Sequence, residues 1–165
     1  MKNIIFSFIL AFAFLGCNSK SDENQNVEAK LVVGKSLSDL NLKDQHEQPH
    51  KLSADTKVIF FSFSKPTGHA CNAFLEKQKA DFLAQHKAVY VADVSAAPSL
   101  IKSMFILPDL KKLQFPILLI NDDNLSAAYS KGMDKEKIIV VFLDNMKIKA
   151  IKKANNEEDL KAALQ

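Results

Sequence analysis

Residues 58–63 read VIFFSF, an apolar run of strand length with one polar side chain, Ser62. A continuous apolar run of this length is typical of a strand buried on both faces. A second such run, AVYVADV, follows at residues 88–94, and the sequence between them predicts a helix over residues 69–86. Because a helical crossover connects parallel neighbours, we expect these two strands to pair in parallel in an α/β fold.

The flanking sequence continues the alternation of strands and helices. A short hairpin is expected around the polar turn at residues 45–48. The other expected strands lie at residues 117–120, 138–143 and, after a turn at Asp144 and Asn145, 147–151. The expected helical segments lie at residues 99–105 and 109–113, broken at Pro108, at 124–131, and from a cap at Asn155 or Asn156 through Leu164.

The composition excludes several classes of function. The chain has 22 lysine and arginine residues, all of them lysine, against 19 acidic residues, which gives a net charge of +3. Lysines scattered among that many acids indicate a solvated surface, so no nucleic-acid partner is expected. The 4 glycines are too widely spaced for a phosphate-binding loop, and the 2 cysteines exclude a disulfide framework or a four-cysteine metal site.

The first seventeen residues have the pattern of an export signal. A short basic start precedes an apolar run at residues 4–15, which is too short to cross a hydrocarbon core of about 30 Å. The run ends in FLGC at residues 14–17, which resembles the lipobox of bacterial lipoproteins, although Phe14 stands where leucine is usual. The resemblance implies that residues 1–16 are a lipoprotein signal peptide and that Cys17 carries acyl chains such as palmitate.

A polar segment, NSKSDENQNVEAK at residues 18–30, follows the lipobox. It has too few apolar side chains to offset the entropy of ordering, so residues 17–30 are predicted to be a lipidated cysteine and a disordered tether. Residues 31–165 then form the folded domain. The expected location is the cell envelope, with the protein lipid-anchored and facing outside the cytoplasm. The alternative is an ordinary secretory signal with an incidental cysteine.

Four segments in a fixed order carry a resemblance to a known superfamily. They are VGKSLSDLNLKDQ at residues 33–45, the strand at 58–64, FPILLIND at 115–122 and the hairpin at 138–151. Together they resemble the thioredoxin-like superfamily, in particular peroxiredoxins and membrane-anchored thioredoxin-like proteins. Ser38 and Met146 depart from it, since a proline and a turn glycine are usual there. The resemblance implies a three-layer α/β fold with a central mixed sheet, flanking helices and an N-terminal β-hairpin.

The resemblance implies a redox site that this chain has in part only. Thiol–disulfide enzymes of the superfamily carry W-C-x-x-C at the start of the first long helix, where the helix N-terminus and the paired thiol lower the pKa of the attacking cysteine. Here the stretch reads KPTGHAC at residues 65–71, so Cys71 in the resolving position leaves Gly68 in the attacking one. The cis-proline expected before the last central strand is replaced by Lys137. A standard dithiol oxidoreductase is therefore not expected.

The peroxiredoxin pattern is incomplete as well. In P-x-x-x-T-x-x-C the proline lies seven residues and the threonine three residues before the cysteine, whereas Pro66 and Thr67 lie five and four residues before Cys71. The family also uses an arginine to hold the thiolate and polarise the peroxide, and lysine serves that role poorly. Since the chain has no arginine, peroxidase activity is not expected.

Cys71 has two interpretations. A thiol near a helix N-terminus beside His69 has a lowered pKa and can act as a single-cysteine redox site or as a copper ligand. Alternatively, Cys71 packs with Phe74 and Leu75 on an apolar stripe, where a free cysteine behaves as a small hydrophobic residue. The second interpretation predicts a buried, slowly reacting thiol.

The remaining candidates are histidines and acidic residues, and each has a structural explanation. His46, His50 and His69, with Cys71, are metal-ligating residue types, but the first two histidines flank a turn and are better explained as solvated loop residues. Acidic residues that follow strands, Asp93 and the pair at residues 122–123, stand where doubly wound sheets bind ligands, yet turn and capping roles are commoner.

The sequence therefore predicts an exported, lipid-anchored thioredoxin-like protein with a degenerate redox site. The leading function is a non-catalytic binding or assembly module of the cell envelope. The alternatives are a single-cysteine thiol redox protein that uses Cys71 and a copper-binding or copper-delivery protein. No cofactor is expected. The expected partners are a membrane, through the lipid on Cys17, and an envelope protein.

Overall fold

A computed structural model describes residues 27–165, in which seven strands and flanking helices alternate. The predicted signal peptide and Cys17 lie outside these residues. The strands are β1 (Asn41–Asp44), β2 (Pro49–Lys51), β3 (Val58–Ser62), β4 (Ala88–Asp93), β5 (Leu118–Ile120), β6 (Ile138–Asp144) and β7 (Lys147–Ala154). The helices are α1 (Lys65–Glu76), α2 (Phe82–Gln85), α3 (Ser99–Ile101), a π-helical segment (Lys102–Ile106), α4 (Leu107–Leu110), α5 (Asp123–Ser130) and α6 (Glu157–Ala162).

The strands form one mixed sheet in the order β2-β1-β5-β4-β3-β6-β7. β3 and β4 pair in parallel, as the helical crossover between them predicts, with Val58 opposite Ala88. β4 also pairs in parallel with β5, whereas β6 and β7 run antiparallel to their neighbours. The hairpin β1–β2 adds to the free edge of β5. The predicted central mixed sheet with flanking helices and an N-terminal hairpin is therefore confirmed.

The sheet is buried on both faces because its central strands are apolar throughout. Successive side chains of a strand point to opposite faces, so Ile59 and Phe61 enter one core while Val58 and Phe60 enter the other. The first core lies under the N-terminal segment and α5, and includes Tyr129. The second lies under α1, α2, α4 and α6. The sheet is therefore the middle of three layers, and α1 covers the second core.

The first helix differs from its prediction. A single helix was expected over residues 69–86, but α1 begins at Lys65 and α2 is a separate short helix. The N–H groups of Lys77 and Gln78 donate to the carbonyls of Phe74 and Leu75, three residues back, and this tighter turn redirects the chain. Residues 65–68, predicted as a loop, are therefore the first turn of α1.

The predicted break at Pro108 is also wrong. Residues 99–110 form one continuous helical run, in which a π-helical segment precedes Pro108. Pro108 is the second residue of α4 and lies two residues after the π-helical segment. Prolines and π-helical turns are the places at which a helix bends, so the run continues past Pro108 where a break was expected. Within residues 27–165, none of the helices combines the length and the apolar character that a bilayer crossing requires.

Residues 27–30, predicted as the end of the tether, contact the domain. The N–H of Lys30 donates to the carbonyl of Ala128 on α5, 2.9 Å away. Lys131 donates to the carbonyl of Val27, again at 2.9 Å. These two hydrogen bonds join Lys30 and Val27 to α5 and to the residue that follows it.

Candidate functional site

A group of polar side chains lies beneath α1, near the carboxyl end of β3, which pairs in parallel with β4. Ser62 is the last residue of β3, Tyr90 lies on β4, and Cys71 faces them from α1. In α/β sheets, ligand sites lie at the carboxyl ends of parallel strands. The group therefore lies where a functional site is expected in this fold.

The N-terminus of α1 is capped by hydrogen bonds between Ser64 and Thr67. Ser64 is the N-cap, and its N–H donates to Thr67 Oγ1 at 3.1 Å, while the Thr67 hydroxyl donates to the Ser64 carbonyl at 2.9 Å. Pro66 suits the first turn because its missing N–H would have no partner there. The first turn carries no thiol, so the helix dipole has no cysteine to activate.

Cys71 is completely buried, as the stripe of apolar residues on α1 predicts. Burial raises the pKa of the Cys71 thiol far above its ordinary value, and a hydrogen bond with the Tyr90 hydroxyl offsets only part of this effect. Tyr90 is itself buried, and its burial likewise raises the pKa of the phenol. Both groups are therefore neutral at physiological pH.

The hydroxyl of Tyr90 contacts polar atoms of both β3 and α1. It lies 3.0 Å from Ser62 Oγ and 3.4 Å from the carbonyl of Gly68. A Cβ on Gly68 would lie 3.7 Å from Ser62 Oγ and 3.9 Å from the Tyr90 hydroxyl. A side chain at Gly68, the position that the superfamily pattern gives to the attacking cysteine, would therefore begin among buried groups.

The interpretation that places His69 beside the Cys71 thiol does not fit the structure. His69 lies on the exposed side of α1, and residues two apart on a helix do not face each other. Cys71 is the seventh residue of α1 and lies nearly two turns from its N-terminus, because the helix begins at Lys65. The argument for a thiol activated by a helix end and by His69 thus fails on both counts.

The hairpin histidines lie elsewhere, around one carboxylate that the sequence did not single out. His50 Nε2 lies 2.7 Å from Asp44 Oδ2, and the N–H groups of His46 and Gln48 donate to Asp44 Oδ1 at 2.8 and 3.0 Å. Burial acts to raise the pKa of Asp44, but hydrogen bonds from Gln48, His50 and His46 outweigh it and lower the pKa. Within residues 27–165, no group of three metal-ligating side chains is close enough to hold an ion.

The acidic residues at strand ends have structural partners. Asp122 caps α5 by accepting the N–H of Leu125 at 2.9 Å. Asp93 accepts the N–H of Ser95 at 2.9 Å and the hydroxyl of Ser126. These are the turn and capping roles that the sequence favoured for them.

Sequence reasoning missed Gln45, Ser62 and Tyr90 as members of buried polar contacts. Gln45 is 1% exposed; its amide donates to the carbonyl of Phe115 and accepts the N–H of Ile117, both at 2.8 Å. The signal for Ser62 was present, since it is the single polar residue in an apolar strand. Gln45 gave no signal, because a glutamine in a turn ordinarily faces solvent.

Solved structures of several bacterial proteins have the same arrangement of strands and helices. A candidate thioredoxin from Neisseria meningitidis superposes with a TM-score of 0.53, over 80% of this chain and 91% of its own, at 12% identity. A candidate protein disulfide isomerase from Bacteroides thetaiotaomicron gives 0.52, over 84% and 89%, at 18% identity. The fold is thioredoxin-like. A peroxiredoxin-like protein from Aquifex aeolicus gives 0.50, over 84% and 91%, at 14% identity.

Sequence identities this low show that the chain shares the fold of these proteins, but they do not show that it shares their chemistry. No family model matches the sequence, and no curated protein matches it. Within the fold, β6 is the antiparallel neighbour of β3, and the residue before it is Lys137, where the superfamily pattern places a proline. Pro116 precedes β5 instead and is exposed.

Proposed function

We propose that the protein is a lipid-anchored, thioredoxin-like binding module of the cell envelope that does not turn over disulfides. One observation carries the non-catalytic part of this proposal. The thiol of Cys71 has no exposed surface and lies behind the first two turns of α1. A group that solvent does not reach also does not meet a substrate disulfide.

Electron counting supports the same conclusion. Reduction of a disulfide by a thioredoxin-like protein forms a mixed disulfide with the attacking sulfur, and a second sulfur then releases the product. The chain has 2 cysteines, and one of them, Cys17, is the proposed lipid attachment site. Cys71 alone does not supply the two electrons without a second thiol.

The two alternative functions lose support from the geometry. A single-cysteine redox site needs an accessible thiolate, whereas burial raises the pKa of Cys71 and no part of its side chain is exposed. A copper site needs Cys71 and a histidine side by side, but His69 faces solvent from the other side of α1.

The non-catalytic proposal is tested by insulin reduction with dithiothreitol as the electron source. We expect wild type and Cys71→Ala to give the same rate as the reductant alone, with a thioredoxin as positive control. Turnover by wild type that Cys71→Ala abolishes would refute the proposal, because Cys71 would then be a working thiol.

The lipid anchor is tested separately by metabolic labelling with a fatty acid. The FLGC sequence ending at Cys17 supports acylation at that residue. Wild type should incorporate the label and fractionate with membranes, whereas Cys17→Ala should do neither. Equal labelling of the two proteins would remove the anchor from the proposal and leave the question of catalysis untouched.

A further inference from the structure

The helical run at residues 99–110 presents large apolar side chains to solvent. Leu100 is 65% exposed, Ile101 42%, Met104 59% and Phe105 57%. Four of the seven large hydrophobic residues that are exposed in the described part of the chain therefore lie within six positions of one another. We call these four side chains the apolar face.

The spacing of the apolar face places it on one side of the run. Residues four apart, such as Leu100 and Met104, are neighbours on a helix surface. Leu107 and Leu110, near the end of the run, are half-buried and pack on the core beneath α1, whereas the four side chains of the apolar face are exposed. The apolar face is thus additional to the side that folding requires, and a contiguous exposed apolar patch marks an interaction site.

The charges around the apolar face favour an anionic surface as its occupant. Lys102 lies within the run, and Lys111 and Lys112 follow its end. The nearby acid Asp109 is paired with Lys112 at 2.7 Å, which leaves a positive balance. Phenylalanine and leucine on one side of a helix with lysines at its borders are the composition of helices that lie in a membrane interface.

We propose that the apolar face lies in the surface of the membrane that holds the acylated protein, with Met104 and Phe105 among the acyl chains. The inference rests on the proposed lipid anchor at Cys17. Ten Cα–Cα steps lead from Cys17 to Val27, where the described domain begins. Fully extended they span about 33–36 Å, while a domain of this size has a radius of gyration of about 14 Å. The tether is therefore long enough for this face to reach the bilayer. Its apolar side chains and the neighbouring lysines favour that contact.

Tryptophan fluorescence tests the proposal at single sites, because the chain contains no tryptophan. Phe105→Trp places the probe in the apolar face. Val33→Trp is the matched control, since Val33 is 61% exposed and belongs to a segment that packs beside β7 on the opposite layer. Each full-length variant is isolated in its membrane-bound form and reconstituted into vesicles of phosphatidylethanolamine and phosphatidylglycerol, with and without brominated acyl chains.

We expect the probe of Phe105→Trp to emit at shorter wavelength and to be quenched by brominated chains several-fold more strongly than that of Val33→Trp. Equal quenching of the two probes in protein that floats with the vesicles would overturn this inference and leave the anchor intact. A Phe105→Trp probe shielded from aqueous acrylamide but unquenched by brominated lipid would assign the face to a protein surface and also overturn it. Protein that fails to float with the vesicles would overturn both the anchor and the lipid assignment.

Discussion

Moving the thiol from the buried to the exposed side of α1 tests whether burial makes Cys71 unreactive towards alkylating agents. The double variant Cys71→Ala/Ala73→Cys shifts the single thiol of residues 27–165 by two positions along the same helix. Cys71 has no exposed surface, whereas Ala73 is exposed. Iodoacetamide labelling of the domain from Val27 onward at pH 7 then compares two proteins of identical composition.

The expected difference follows from how the buried thiol is reached. Because Cys71 has no accessible surface, alkylation requires unfolding. A stability of about 5 kcal/mol, at the low end for a domain, corresponds to an unfolded fraction below about 10⁻³, since about 1.4 kcal/mol is a factor of ten. We therefore expect wild type to react at least about 10³-fold more slowly than the double variant. Comparable rates under native conditions would refute the burial argument, because the thiol would then be reached through local opening of α1.

The same thiol has a consequence at alkaline pH. Its pKa is raised above the ordinary value of 9.0, so the unfolded protein loses this proton first as the pH rises. The unfolding free energy should therefore decrease above pH 9, by up to about 1.4 kcal/mol per pH unit from this group. Cys71→Ala should lack that contribution and retain the one from Tyr90, whose pKa is also raised. Parallel pH profiles of the two proteins in urea unfolding would contradict the raised pKa.

Three further substitutions test polar contacts, each by urea unfolding. Tyr90→Phe leaves buried Ser62 without its partner, so we expect a loss of about 1–3 kcal/mol; an unchanged stability would contradict the contact. Gln45→Ala leaves two backbone groups next to Pro116 unpaired, so the loss should be at least about 2 kcal/mol, and Gln45→Glu should restore only the bond accepted from the N–H. For Asp44, whose pKa is lowered, the carboxylate stabilises the fold above pH 3.8 and this contribution disappears as the pH falls through the folded pKa. The stability difference between wild type and Asp44→Asn should therefore shrink in acid; a constant difference would exclude titration as its cause.

The architecture was predictable from the sequence because its central strands are apolar without interruption. β3 and β6 have nearly all of their residues buried, and such runs have few alternatives in an α/β protein. Helix boundaries were less predictable. The sequence 65–71 contains a proline and a glycine, which favour a loop, yet both fit the first turns of α1 once it packs against the sheet.

The closing hairpin shows a limit of a different kind. Asn145 and Met146 both adopt positive φ, 47° and 61°, as a two-residue turn of this hairpin type requires. Asparagine tolerates that conformation, and the sequence predicts the turn there. Methionine adopts it at a cost in backbone strain. The half-buried side chain of Met146 packs against the core of the sheet, and no local sequence pattern predicts this contact.

The candidate site could be predicted only by what it lacks. The missing second cysteine is visible in the sequence, and so is the apolar stripe that buries Cys71. The contacts of Tyr90 with Ser62 and Gly68 are not, because they join residues of β4, β3 and α1 that only the sheet register brings together. Tertiary contacts of this kind produce no periodic pattern in the sequence.

Burial of Cys71 constrains where function can reside. Groups without exposed surface do not contact a partner, so recognition has to come from the outside of the domain, and the apolar face of residues 99–110 is the part of that surface least suited to water. Tethering changes how strong such a contact needs to be. A short flexible linker gives an effective concentration in the mM range, so an intrinsic affinity of about −4 kcal/mol is enough to keep the face on the membrane about half of the time. Complete burial of one leucine or phenylalanine contributes about 1.5–3 kcal/mol, and partial insertion of four such side chains reaches that threshold. In the arrangement that we propose, neither the acyl anchor nor the apolar face orients the domain alone, whereas the two together do.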